Sequence, residues 1–268
     1  MTQLTLTKHH GLGNDFLVVF HPDVTDLPAL ARRLCDRRRG VGADGLLVGE
    51  SAEGYAAQMV LYNADGSRAE MSGNGVRCFA QALAMRGGDT LDQLILTDAG
   101  DRLVTISATD QPGVVNASVD MGAVVDIAEP DDWHAIGTDP MRPVRHLSLG
   151  NPHAVVGVDE VGVVDLLTLG QLVPYVNLEI VEPGPEPHAI TMRVHERGAG
   201  ITEACGTGAC ASAWAASAWG LVPATVEEIV VHMDGGDAKV RLHHPLPGRV
   251  TLIGPAQYIA TVLVDVDE

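Results

Sequence analysis

The chain has 268 residues, a formal net charge of −18, 46% hydrophobic residues and only 4% aromatic ones. That length suits one large domain or two ordinary ones, with a core resting on Val, Leu, Ile and Ala. The acidic balance excludes a phosphate-neutralising surface, and no apolar run reaches membrane-spanning length, so neither nucleic acid nor a membrane is an expected partner.

In chain order, Leu4 to Leu6 reads as a strand, His10 to Asp15 as a loop and Phe16 to Phe20 as a second strand. Leu27, Leu30 and Leu34 have helical spacing, and that helix ends before Gly40. Gly40-Val41-Gly42-Ala43-Asp44-Gly45 fits a dinucleotide fingerprint only superficially, because a helix precedes it and a strand follows; it reads as a turn. The run Arg37-Arg38-Arg39 reads as a solvated helix end. Strands are expected over Gly45 to Gly49 and Gln58 to Tyr62, then a helix from Gly73 to about Met85, stopped by Gly87-Gly88. Three more strands follow: Gln93 to Thr97, Arg102 to Ala108 and Val114 to Met121.

A looser, proline-bearing stretch from Asp126 to Pro143 precedes a second pass through the same plan. Leu147 to His153 reads as a loop, Ala154 to Val158 as a strand and Val164 to Leu172 as helix-like. Asn177 to Val181 and Ile190 to His195 are expected strands, and Cys205 to Trp219 is an apolar helix stopped by Gly220. Strands over Val226 to Met233, Ala238 to Leu242, Arg249 to Ile253 and Ile259 to Val266 complete the set. Helices apolar on nearly every side must be enclosed. The expected fold is therefore α+β: two pseudo-symmetric halves, each a mixed, mostly antiparallel sheet wrapped around a buried apolar helix, with the active site in the cleft between them. The halves are expected at 1–122 and 123–257, with 258–268 a C-terminal strand returning to the first half.

Two helix starts look like copies. Glu70-Met71-Ser72-Gly73-Asn74-Gly75 and Glu203-Ala204-Cys205-Gly206-Thr207-Gly208 lie 133 positions apart, and Met59 and Met192 keep the same offset. Free N–H groups and the positive dipole end at such a start suit a carboxylate. A cysteine there is expected to have a lowered pKa, and so to serve as base when ionised and acid when not. The plainer alternative is that Ser72 only caps its helix and Cys205 is a small core residue. Cys78 and Cys210, within the apolar helices, read as core thiols. No CxxC pair exists, so no metal is expected, and the thiols read as reduced ones in a cytoplasmic protein without a secretory signal. The chain has only two lysines, Lys8 and Lys239, neither in an evident site motif, so chemistry without pyridoxal phosphate or any other cofactor is expected.

Lys8 to Phe16, Gly40 to Gly45, Asn63 to Ser67, Met71 to Cys78, Gly150 to His153 and Glu196 to Cys210 together resemble diaminopimelate epimerase, in order and over most of the chain. Some of the glycine-rich pieces also resemble proline racemases and phenazine-pathway isomerases. The resemblance implies a cofactor-independent homodimer of lysine biosynthesis. It would interconvert LL- and meso-2,6-diaminopimelate, one cysteine removing the α-proton while another supplies it on the opposite face. Carried over, Cys205 is the second catalytic cysteine, and Gly73, Asn74, Gly206 and Thr207 form the carboxylate cradle. Asn14, Asn63, Asn151, Asn177, Glu196 and Arg197 form the recognition set, and His153 and Glu196 tune the charge of the cysteine. A zwitterionic bis-amino acid asks for such amides, a guanidinium and an acid. Singly, the asparagines also fit turns and His153 a structural role.

The chain departs from the family at Ser72, where a cysteine is expected. A hydroxyl is a far weaker acid than a thiol, so two-base exchange is expected to be impaired. Three accounts stay open: an introduced substitution, a native residue with weakened or altered chemistry, and a non-catalytic amino-acid binder. A racemase or isomerase of another small acid, proline-like or histidine-like, is the alternative activity.

Overall fold

The structure, a computed structural model, describes residues 2–87 and 92–266. In chain order the elements are β1 (Thr2–Gly11), β2 (Asn14–Phe20), α1 (Leu27–Cys35), β3 (Gly45–Glu50), β4 (Ala57–Asn63), β5 (Arg68–Ala69) and α2 (Gly73–Gly87). Next come β6 (Gln93–Thr97), β7 (Gly100–Ala108), β8 (Val114–Ala123), β9 (Val125–Asp126), β10 (Val144–Ser148), β11 (Pro152–Gly157) and α3 (Leu166–Leu172). The last are β12 (Asn177–Pro183), β13 (Ala189–Glu196), β14 (Gly200–Thr202), α4 (Gly206–Trp219), β15 (Glu228–Met233), β16 (Gly236–Leu242) and β17 (Arg249–Val266). The fold is mixed and sheet-rich, with few helices. It divides into two units, Met1–Val119 with Gly254–Glu268, and Asp120–Ile253. Both divisions fall inside strands, β8 and β17.

In the first unit β1 pairs antiparallel with β2 and with β17, whose register runs from Thr2 opposite Val266 to His10 opposite Gln257. Then β2–β3 is parallel, β3–β4 antiparallel and β4–β6 parallel, and β6–β7 and β7–β8 are antiparallel. Strand β2 is buried along its whole middle, as a strand covered on both faces must be. Leu17 and Val19 pack with Leu30, Ala31 and Leu34 of α1. On the other face Phe20 meets Phe79 of α2, ring centroids 5.4 Å apart. The second unit runs through the same succession. There β11–β12 is parallel, β12–β13 antiparallel and β13–β15 parallel. Leu178 and Ile180 of β12 pack with Leu166 of α3, while β12 also packs against α4.

Several elements depart from expectation. The loop expected over 10–15 shrinks to a two-residue turn, with Leu12 at φ 56° and Gly13 at φ 87°, because a left-handed pair matches the twist of the hairpin strands. Leu147, Ser148, Pro152 and His153, expected in a loop, belong to strands β10 and β11. The two last strands are one, β17. Helix α2 is described as far as Gly87; the stop expected at Gly87-Gly88 involves Gly88, which lies outside the described residues. Helix α2 is not apolar all round. It buries Asn74, Arg77 and Gln81, the last bonded to His9 and to the Gly113 carbonyl. Among the described residues no helix is long and apolar enough to cross a membrane.

Phe79 is fully buried between α2 and the sheet. Truncation to alanine is expected to cost about 3–5 kcal/mol, read as a lowered urea midpoint with an unchanged slope.

Candidate active site

Each of the two duplicated helix starts is closed by the side chain singled out in the sequence. Ser72 Oγ accepts from the Gly75 backbone N–H at 3.0 Å. Cys205, extended at φ −126° and ψ 113°, accepts through Sγ from the Gly208 N–H at 3.3 Å. Capping satisfies one otherwise orphaned donor at each start. Ser72 is half-buried, and Cys205 is only 4% exposed.

Around Ser72, Asn74 Nδ2 donates to Asn14 Oδ1 at 3.2 Å, and Arg77 donates to Asn74 Oδ1 at 2.8 Å. Asn14 in turn donates to the Asp44 carboxylate at 2.8 Å. The glycine-rich loop is thus a turn, as expected, with a task. Its Asp44 fixes Asn14 and also accepts from the Asp15 backbone N–H. Arg37 bridges Asp15 and Asp44 at 2.7 Å each, and Lys8 reaches Asp15 at 2.9 Å. Burial by itself would raise the Asp15 carboxyl, but hydrogen bonds from Arg37 and Lys8 outweigh it and hold that group below its ordinary value. Arg37 is therefore part of an ion-pair cluster, not merely a solvated charge. Asn63 closes its own turn by donating to Ser67 Oγ at 2.9 Å.

Around Cys205, Thr207 Oγ1 lies 3.4 Å from Sγ, and Asn151 Nδ2 donates to Thr207 Oγ1 at 3.2 Å. His153 Nε2 stands 3.0 Å from Asn151 Oδ1, and its Nδ1 stands 2.7 Å from Glu179 Oε1. His153 and Glu179 are both wholly buried. Asn177 Oδ1 accepts from the Arg197 backbone N–H at 2.8 Å, and Glu196 accepts from Thr202 at 2.5 Å. The second unit thus gathers Asn151, His153, Cys205 and Thr207 into one hydrogen-bonded chain and joins Asn177 to Arg197. Gly73 and Gly206 open their helices.

Glu179 went unrecognised in the sequence. The signal was available: a carboxylate inside an apolar strand flanked by Leu178 and Ile180 needs a buried partner. Its position also explains a glycine. A Cβ on Gly208 would lie 2.6 Å from Glu179 Oε1 and 3.2 Å from Cys205 Sγ.

The expected lowering of the Cys205 thiol is overturned. Burial first, then the Glu196 and Glu179 carboxylates, push it well above its ordinary value, against the smaller pull of the Thr207 and Gly208 donors. A helix start lowers a thiol only where it outweighs desolvation and nearby like charge. Cys205 therefore rests as a neutral thiol. The Cys78 and Cys35 thiols are also raised, each to about 12, chiefly by burial. Alkylation of Cys205, followed by mass spectrometry against pH, is expected to show a midpoint above that of the same cysteine in urea-unfolded chain. A midpoint at or below the unfolded one would contradict the assignment.

The sequence model of the family described as diaminopimelate epimerase matches residues 6–127 and 146–259. The diaminopimelate epimerase of Halothermothrix orenii is 34% identical over 298 aligned positions, covering 99% of each chain. That of Desulfitobacterium hafniense is 36% identical, covering 96% of each. Among solved structures, a phenazine biosynthesis protein of the PhzF family from Bacillus anthracis superposes with a TM-score of 0.76 at 17% identity, covering 99% of this chain and all of the other. A hydroxyproline epimerase from Agrobacterium vitis gives the same score at 15% identity, covering 99% of this chain and 93% of that one. These two share the fold. Matched by the family's sequence model over most of its length and from end to end by relatives at more than a third identity, the chain belongs to the diaminopimelate epimerase family.

Proposed function

We propose that the protein interconverts LL- and meso-2,6-diaminopimelate by exchanging the α-proton, with Cys205 and Ser72 as the two proton-handling residues. As a member of its family it is an isomerase that works without a cofactor. The observation that carries the assignment of roles is the paired capping. Each of these two side chains turns back onto the third N–H of a glycine-rich helix start, where the remaining donors suit a substrate carboxylate. Removing an α-proton drives charge into that carboxylate, and N–H groups aimed there favour the transition state over the bound substrate.

Gly73, Asn74, Gly206 and Thr207 would cradle the reacting carboxylate. Asn14, Asn63, Asn151, Asn177, Glu196 and Arg197 would recognise the rest of the molecule, with the guanidinium on the distal carboxylate and Glu196 on an ammonium. Cys205, resting as a thiol, starts as the acid; its thiolate is the base in the opposite direction. The partner at position 72 must then start as base. A serine hydroxyl accepts a carbon-bound proton poorly, because no alkoxide is present near neutral pH. Turnover is correspondingly slow, and restoring a thiol speeds it.

The two units are read as related halves, 1–122 and 123–257, each a mostly antiparallel sheet wrapped around its helix. Their matched pairing order supports that reading, as does the 133-residue offset joining Asn63 to Glu196 and Ser72 to Cys205. A cytoplasmic homodimer is the expected form, and sedimentation should give the mass of two chains.

The deciding assay incubates LL-diaminopimelate in heavy water with the protein and with a Ser72→Cys variant. The variant is expected to form deuterated meso isomer about 10²–10⁴ times faster, the usual span for one general acid–base group. If neither protein exchanges the α-proton nor forms the meso isomer, the proposal fails. Tight binding without exchange would point to an amino-acid binder. Exchange confined to proline or histidine would point to a racemase of another acid.

A further inference from the structure

The chain of side chains ending at Cys205 has a direction that can be deduced atom by atom. Asn151 uses both ends of its amide. Its Oδ1 faces His153 Nε2 at 3.0 Å, and its Nδ2 faces Thr207 Oγ1 at 3.2 Å. An amide oxygen only accepts, so His153 carries a hydrogen on Nε2. An amide nitrogen only donates, so Thr207 Oγ1 accepts, which leaves the threonine hydrogen free to point at Sγ, 3.4 Å away. The 2.7 Å contact between His153 Nδ1 and Glu179 Oε1 then holds one proton, on the carboxyl or on the imidazole. In either state the pair is neutral overall and Nε2–H is retained. An amide relays no proton, so the chain transmits orientation only.

We propose that Glu179 is a positioning residue for Cys205: by holding His153 as the Nε2–H form it turns Asn151 and Thr207 so that the threonine hydroxyl donates to the cysteine sulfur. The proposal rests on Cys205 being a proton-handling residue and deepens that reading. Without Glu179, His153 is free to move its hydrogen to Nδ1. Nε2 then becomes an acceptor facing Oδ1, the amide turns over, and Thr207 donates to the amide oxygen. The sulfur keeps only the Gly208 N–H, and its thiolate loses a donor at the moment it forms.

Packing agrees with this role. Gly208 leaves the carboxylate and the sulfur room over one helical turn, where a Cβ would meet both. At the equivalent Gly75, beside Ser72, the three atoms nearest to an added Cβ belong to Ser72 and, at 3.4 Å, to Leu47; none is a carboxylate oxygen. The buried acid therefore accompanies the thiol and is not a requirement of the helix start. The charged groups bearing on Cys205 are Glu179 from β12 and Glu196 from β13, both of which oppose a thiolate. Removing Glu179 thus has two opposite effects: loss of whatever part of its charge His153 leaves uncompensated favours the thiolate, and loss of its orientation disfavours it.

Two substitutions separate them. Glu179→Gln removes the charge, but its amide donates to Nδ1 and keeps Nε2–H. Glu179→Leu removes the charge and the hydrogen bond. The pH midpoint of iodoacetamide labelling at Cys205, read on its peptide by mass, is expected to lie at least about one pH unit higher in Glu179→Leu than in Glu179→Gln. Coincident midpoints, or a lower one for leucine, overturn the proposal. A second measurement needs neither variant: nitrogen-15 spectra of the unaltered protein, assigned through the resonances lost in His153→Gln, should show a protonated Nε2 on His153. An unprotonated Nε2 overturns it as well. Neither readout requires substrate or turnover. A failed heavy-water exchange would therefore sink the epimerase reading without touching this one, and the reverse.

Discussion

The sulfur of Cys205 stands under opposed influences, and the chemistry available at that helix start depends on their balance. Burial and two carboxylates hold the proton on; the Gly208 N–H and the Thr207 hydroxyl favour its release. Water would blunt all of these influences, but at 4% exposure little water is left to do so. A thiol so placed is a better acid reservoir than a standing base. That suits a reaction in which one residue gives a proton and later takes one back.

Small residues make such crowding possible. Helix α4 is buried continuously from Gly206 to Ala213, a stretch of Gly, Thr, Ala, Cys and Ser without a single large side chain. Strands β11, β12 and β13 can pack against it, and Glu179 can lie over Gly208 where any Cβ would collide. Helix α2 solves the same problem differently. Its first turn carries Asn74 and Arg77, which tie it to Asn14 and, through Asp44, to the ion-pair cluster of Lys8, Asp15 and Arg37. One helix start is set in a buried hydrogen-bonded chain that ends in the Glu179–His153 pair, the other in a cluster of ion pairs.

The two starts therefore share a backbone plan but differ in chemistry. Strand pairing repeats in the same order, and a cap from the preceding residue closes each first turn. Where the second unit sets His153 and Glu179 on adjacent parallel strands, the first sets Phe16 and Leu47 on its own adjacent parallel pair. The apolar pair at those positions in the first unit and the titratable pair that leads to Cys205 in the second are consistent with unequal division of the proton work.

The sequence by itself determined the order and type of most of the longer elements, because hydrophobic period and glycine stops are local signals; strands β5, β9, β10 and β14 escaped it. It also located both helix starts, since a duplicated Gly-x-Gly after a nucleophile is visible without coordinates. It could not determine which atoms close the site. Glu179 looked like one more residue of an apolar strand, and the Gly40 to Gly45 turn gave no sign that Asp44 holds Asn14, because both contacts join residues distant in the chain. Nor could it set the sign of the Cys205 shift. The dipole of a helix start is legible from position alone, whereas burial and the approach of Glu179 and Glu196 arise only when β12, β13 and α4 pack together. Electrostatics inside a protein is a sum over neighbours, and the neighbours are chosen by the fold.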